Sequence, residues 1–151
     1  MSNNRYEAAG VTSAAPAAGA AFAELRNTAA RRVLVEEIGI SLAAPTATNI
    51  ALHRSTAQGT GGTALVGLPE DPNQTAAAVS LVMSAFTTAP TFTATAMLRR
   101  FSLPGAIGAG VIWTFAKTDR LVIPPSQSLV IATPTIAGAA AINVYVVWVE
   151  S

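Results

Sequence analysis

The side chains in this chain that most readily do acid–base or metal chemistry are one histidine and eight carboxylates, and there is no cysteine. His53 alone cannot form the multi-histidine cup of a metal-binding β-protein, and scattered oxygens make poor transition-metal ligands, so no metal or organic cofactor is expected. A single His on a strand is ordinarily a surface or hydrogen-bonded residue rather than a catalytic base. With neither Cys nor a Gly-x-Ser-x-Gly elbow, no nucleophile is recognisable, and the chain is not expected to be an enzyme.

The acids are Glu7, Glu24, Glu36, Glu37, Glu70, Asp71, Asp119 and Glu150. Neighbours on a strand point to opposite faces, so Glu36 and Glu37 are not expected to act as an acid–base pair. Glu36 falls in phase with Leu34 and Ile38, which predicts an Arg partner, a bulge or an interface. GTGG at 59 to 62 lacks the Lys-Ser/Thr of a phosphate loop, and GAIGAG at 105 to 110 runs into the strand-like VIWTF instead of opening a helix. Both read as turns. The doublets Arg31-Arg32 and Arg99-Arg100 send one guanidinium to each face of a strand, so they form no basic stripe for nucleic acid. They read as solvated strand ends or as charge pairing across a subunit contact. Trp113 and Trp148 read as core or inter-subunit packing before a sugar platform.

The elements that position these residues are strands. From Arg32 the chain alternates with period two, placing Leu34, Ile38, Ile40 and Leu42 on one face. Pro45 ends that run, and Ile50 and Leu52 then oppose Asn49, Ala51 and His53. A short strand near residues 64 to 66 leads to the turn LPEDPN, after which Val79, Val82, Met83 and Phe86 recur at helical spacing and predict a helical turn over Gln74 to Phe86. Strand signals resume over Thr91 to Phe101 and Val111 to Phe115, and DRLVIPPSQSLVI (119 to 131) is two short strands joined by a Pro-Pro turn. Ile142 to Val149 closes the set. Such a chain predicts an all-β fold, a β-sandwich or jelly roll of about eight strands. The expected inward residues are Leu34, Ile38, Ile40, Phe92, Leu98, Val111, Trp113 and Phe115.

Residues 1–30 are rich in Ala, Gly, Ser and Asn and are expected to be an extended N-terminal arm, with a first strand over Ala21 to Arg26, ahead of a β-sandwich domain at 31–151. Asn3, Arg5, Tyr6 and Phe22 are its expected protein-contact residues. Charged residues make up 11% of the chain, against roughly 25% in an ordinary soluble domain. From 121 to 149 there is no Asp, Glu, Lys, Arg or His. So little charge predicts a surface largely covered by other subunits. The uncharged stretch from Pro72 to Leu98 is broken by Pro90 and studded with threonines, unlike a spanning helix, so no membrane partner is expected. Glu7 and the missing leucine-rich core predict no secretory signal. A net charge of +1 gives no general pull toward nucleic acid.

The run RRFSLPGAIGAGVIWTF, then DRLVIPPSQSLVI and the closing NVYVVWVE, resembles the small jelly-roll virion proteins of tailed bacteriophages, particularly capsid decoration or cement proteins. The resemblance covers roughly Arg32 to Ser151, and Ser126 stands where a glycine often follows the prolines. It implies a virion protein, made in the host cytoplasm, that clusters as a homotrimer on the capsid surface, binds the major capsid protein and reinforces the head without catalysis. Another virion module, a tail, baseplate or head-fibre part that attaches to host-surface glycans, is the alternative, and an unrecognised enzyme is a third.

Overall fold

The computed structural model describes residues 4–12, 20–134 and 141–151. Among these, twelve strands and no helix occur: β1 (Asn4–Val11), β2 (Ala20–Arg26), β3 (Val33–Leu42), β4 (Thr48–Ala57), β5 (Thr60–Val66), β6 (Leu68–Pro69), β7 (Ser80–Thr88), β8 (Thr91–Leu103), β9 (Gly110–Thr114), β10 (Leu121–Ile123), β11 (Ser128–Thr133) and β12 (Ile142–Glu150). They form two antiparallel sheets. Sheet A runs β10-β3-β12-β1-β6, with β9 also pairing β3, and sheet B runs β5-β7-β2-β11-β4-β8.

The pairings nest. β1 lies against β12, β2 against β11, β3 against β9 and β10, and β4 against β8, so the chain doubles back on itself and is wound into two sheets, the hallmark of a jelly roll. Between the sheets lies one apolar core, drawn from alternate positions of both: Tyr6, Val35, Ile38, Ile40, Trp113, Val146 and Trp148 from sheet A meet Phe22, Leu25, Ile50, Leu52, Leu81 and Leu129 from sheet B.

Sheet B carries an addition. Only Gln58 and Gly59 separate β4 from β5, and only Ala89 and Pro90 separate β7 from β8, yet the two pairs flank β2–β11 on opposite sides. Residues 48–66 and 80–103 therefore make one long two-stranded ribbon that folds across the outside of β2 and β11. It bends where Gly61, Gly62, Ser84 and Ala85 take positive φ. Phe86 and Phe92 pack beneath it on Ala21, Val130 and Ala132, a second small apolar cluster. Glu24, fully buried under the crossing, accepts hydrogen bonds from the Ser128 hydroxyl at 2.6 Å, the Gly59 amide at 3.1 Å and Arg26 Nη2 at 2.7 Å. Arg26 in turn reaches the Gly61 carbonyl.

Three expectations change. Residues 1–30 do not form an arm over their described part, because β1 is an internal strand between β12 and β6 and β2 is internal to sheet B. Tyr6 and Ala8 lie on the core side of β1 with Arg5, Glu7 and Ala9 outside, and β2 puts Phe22, Ala23 and Leu25 into the core. No helix forms over Gln74 to Phe86: Leu81 and Met83 alternate into the core, and the left-handed Ser84 and Ala85 shift the phase before Phe86, producing a false helical spacing. Of the expected inward residues, Ile38, Ile40 and Trp113 are buried in the core, and Val111 and Phe115 pack at its margin. Leu34 points outward between the buried Val33 and Val35, Phe92 belongs to the outer cluster, and Leu98 is exposed on the edge strand β8.

Since β1 pairs with β12 along its whole length, deleting residues 1–12 is expected to abolish cooperative unfolding and near-ultraviolet circular dichroism. A truncated protein with an unchanged denaturation midpoint would show that β1 is dispensable.

Candidate protein-contact face

The outer face of sheet A is organised by one extra residue. Glu37 pairs with Val147 and Val35 with Trp148, which leaves Glu36 unpaired in a bulge. The bulge turns both glutamates outward. Glu36 is buried there by two arginines, Arg5 Nε at 2.7 Å and Arg120 Nη2 at 2.8 Å, and Arg5 also bonds Glu70. Of the alternatives open for Glu36, the structure has two together, the Arg partner and the bulge.

Beyond the bulge the outward residues fall into rows across the sheet. One row is Glu7, Val147, Glu37 and Thr114; the next is Ala9, Tyr145, Gly39 and Ile112; the third is Val11, Asn143, Ser41 and Gly110. Tyr145 lies over Gly39, where a β-carbon would run into its ring, and its hydroxyl donates to Glu37 Oε1 at 2.6 Å. The second and third rows border a shallow concavity of about 910 Å³. Its rims are apolar and open, with Val11 56% and Ile112 61% exposed. Contiguous exposed apolar surface of this kind marks interaction sites.

Charge is concentrated at the first row. The Glu7 carboxyl is held above the usual carboxylate range, chiefly by a hydrogen bond with Glu70 and then by desolvation, whereas the Arg5 hydrogen bond pulls Glu70 below it. Glu7 and Glu37 take part in no ion pair among the described residues. The Glu37 hydrogen bond, with desolvation second, pushes the Tyr145 phenol up to about 12. No group of three or more His, Asp or Glu among the described residues could hold a metal.

Of the expected contact residues, Arg5 is on this face, whereas Tyr6 and Phe22 are core side chains at 1% and 0% exposure. Tyr6 instead packs on Trp148 with ring centroids 6.2 Å apart. Asn3 lies outside the described residues. His53 is fully buried on the outer side of sheet B: Nδ1 donates to the Ala96 carbonyl at 3.1 Å, the ring stacks on Phe92 at 4.4 Å, and Nε2 has no partner. Trp113 and Trp148 are buried. GTGG is the ribbon's bend and GAIGAG is a turn whose Gly108 amide and Ala109 carbonyl bond the backbone of Leu42. Tyr145, Val11 and Ile112 were not singled out for this face from sequence, although the alternation in NVYVVWVE opposes Asn143 and Tyr145 to Val144 and Val146, and Gly39 within a strand signals a close approach.

Removing the Glu37 acceptor should bring Tyr145 back toward the usual value of about 10. Glu37→Gln is therefore expected to lower one of the two tyrosine titrations seen by ultraviolet absorbance, and an unmoved curve would exclude the bond. In the native protein the raised phenol pKa contributes stability that is complete below about pH 10 and is lost as pH rises through about 12. Burial lowers the His53 pKa, against the opposing hydrogen bond to the Ala96 carbonyl, so the unfolded chain takes up the proton first. Stability should fall as pH drops below about 6.5, and His53→Leu should flatten that slope between pH 7 and 5. An equal slope in both proteins would remove His53 from the acid response. In comparisons with known proteins, no family model, no curated protein and no solved structure matches this chain, so the outer face of sheet A stands as a candidate site on its geometry alone.

Proposed function

We propose that this chain is a structural subunit of a virion, a decoration or cement protein that binds the outer surface of a tailed-phage capsid, self-associates as a homotrimer and stabilises the head. The observation that carries this reading is the outer face of sheet A, a broad sheet surface left apolar and open in a chain with only 11% charged residues. A rigid jelly roll with such a face suits protein partners, here the major capsid protein and further copies of itself, better than nucleic acid or membrane. Cementing follows by mass action, since a subunit that bridges assembled capsomers favours the assembled shell. A glycan-binding tail, baseplate or head-fibre module would have to draw on Tyr145 or Phe101, because both tryptophans are buried and offer no stacking platform.

Cryo-electron microscopy of the parent particle is expected to show jelly-roll density on the outside of the head. Particles stripped of the protein should release DNA at a lower temperature than particles to which it has been restored. Density at the tail, or equal heat resistance with and without the protein, would overturn the assignment.

A further inference from the structure

β1 is paired along its whole length on one side and over two residues on the other. Its ladder with β12 runs from Asn4 to Val11, whereas β6 covers only Tyr6 and Glu7. At Gly67, where a β-carbon would run into the Trp148 ring, the chain passes from β5 in sheet B to β6 in sheet A, and beyond Glu7 no strand among the described residues pairs with that side of β1. Two bonds fix the direction of the backbone groups there. The Thr12 amide donates to the Ile142 carbonyl on the β12 side, and the Arg5 carbonyl accepts from the Glu70 amide on the β6 side. With a period of two, Ala8 and Gly10 turn their N–H and C=O groups to β12, while Ala9 and Val11 turn theirs to the uncovered side.

The space beside this edge has the shape of a strand seat. Thr63 and Leu65 of β5 are opposite Met83 and Leu81, whose side chains lie in the core, so they face inward too; yet Thr63 is exposed and Leu65 only half-buried. Among the described residues, sheet A carries nothing beyond the two residues of β6 on that side. A hollow of about 200 Å³ separates Ala9, Gly10 and Val11 from Thr63, Leu65, Met83, Ser84 and Ala85. The same three residues of β1 border the larger concavity on the outer face. Gly10 points inward, toward Leu65 and Met83. A strand laid along the edge would therefore send one side chain into the hollow opposite Gly10 and the two flanking ones outward beside Ala9 and Val11.

We propose that this edge receives an extended tail of a partner protein, which pairs its main chain with Ala9 and Val11 and places an uncharged, apolar side chain in the hollow opposite Gly10. Amides and carbonyls repeating at strand spacing call for another main chain, a pattern that neither a glycan nor a lipid supplies. The side chain opposite Gly10 is apolar because no ionisable residue lines the hollow to meet a charge. The open stretch is only Ala8 to Val11, closed at one end by β6 and floored by β5, so it admits a flexible tail and not the edge of a folded domain. This inference rests on the reading of the chain as a protein-binding subunit and names the kind of contact it makes; it does not require the partner to be a capsid.

Hydrogen exchange read by nuclear magnetic resonance on the full chain is the first test: the Ala8 and Gly10 amides should be protected and those of Ala9 and Val11 unprotected. Protection of Ala9 and Val11 in the protein alone would overturn the proposal, giving the edge to the chain itself if independent of concentration and to a second copy if not. A displayed library of random heptapeptides selected on the wild type should then enrich sequences with an uncharged, apolar centre, and a synthetic peptide of enriched sequence should protect Ala9 and Val11. Proline is tolerated at a sheet edge, so Ala9→Pro and Val11→Pro, each removing one open amide and no bond to β12, should keep the wild-type circular dichroism and weaken that peptide at least about tenfold. Thr63→Phe fills the hollow from β5, leaves β1 unaltered and should weaken the peptide as much, which keeps the test decisive if a proline variant misfolds. Failure to enrich any peptide, or equal binding to the wild type and Thr63→Phe, would overturn the proposal. Phage heads stripped of the protein separate the two readings. Equal binding of heads by the wild type and Thr63→Phe would remove the edge and leave the decoration role, and peptide binding without head binding would do the reverse.

Discussion

The single residue inserted at Glu36 sets the phase of β3, and through it the arrangement of sheet A. Below the bulge Val33 and Val35 face the core; above it Ile38, Ile40 and Leu42 do, and without the extra residue one of these sets would be turned to solvent. The cost of that insertion is a nearly buried carboxylate. Arg5 from β1 and Arg120 from the turn before β10 offset it, so one irregularity ties three segments together. Removing either arginine alone would leave the charge poorly compensated, a far larger penalty than the loss of an exposed pair.

Sheet B meets a comparable constraint with Glu24. Where the ribbon crosses β2 and β11, backbone and side-chain donors converge on one carboxylate from three directions, and Phe86 and Phe92 exclude water beside it. Burial of His53 has the same origin. Its ring forms part of the packing under β8, satisfied at Nδ1 and bare at Nε2. Each sheet thus has an outer surface of its own character: sheet B is covered by its own chain, while sheet A is left open.

The all-β class, the turn at Pro124-Pro125, the inward phase of Ile38 and Ile40 and the shared face of Ile50 and Leu52 are legible because alternation reports the pleat wherever a strand is regular. What was missed follows from departures from that period. Leu34 was placed inward because a bulge shifts phase without a local signal, although the charge of Glu36 at an apolar position did mark the spot. The helix expected over Gln74 to Phe86 arose from a second phase shift, at Ser84 and Ala85. An alanine-rich start resembled an arm because internal strands of a jelly roll need little bulk where neighbours such as Leu65 and Met83 crowd against Gly10. Of the candidate face, the sequence marks Arg5 and Glu36 and none of the apolar residues, since which outward row remains uncovered is decided by tertiary packing.

The nesting of β1 with β12 also sets an order of events. Once made, β1 must wait, unpaired along one side, until β12 has been synthesised, because Asn4 is opposite Glu150. At roughly 5–20 residues per second that wait lasts on the order of ten seconds or more. Sheet A, and with it the open face, therefore comes into existence only after translation has passed residue 150, which means that a prematurely terminated chain cannot present a finished contact surface.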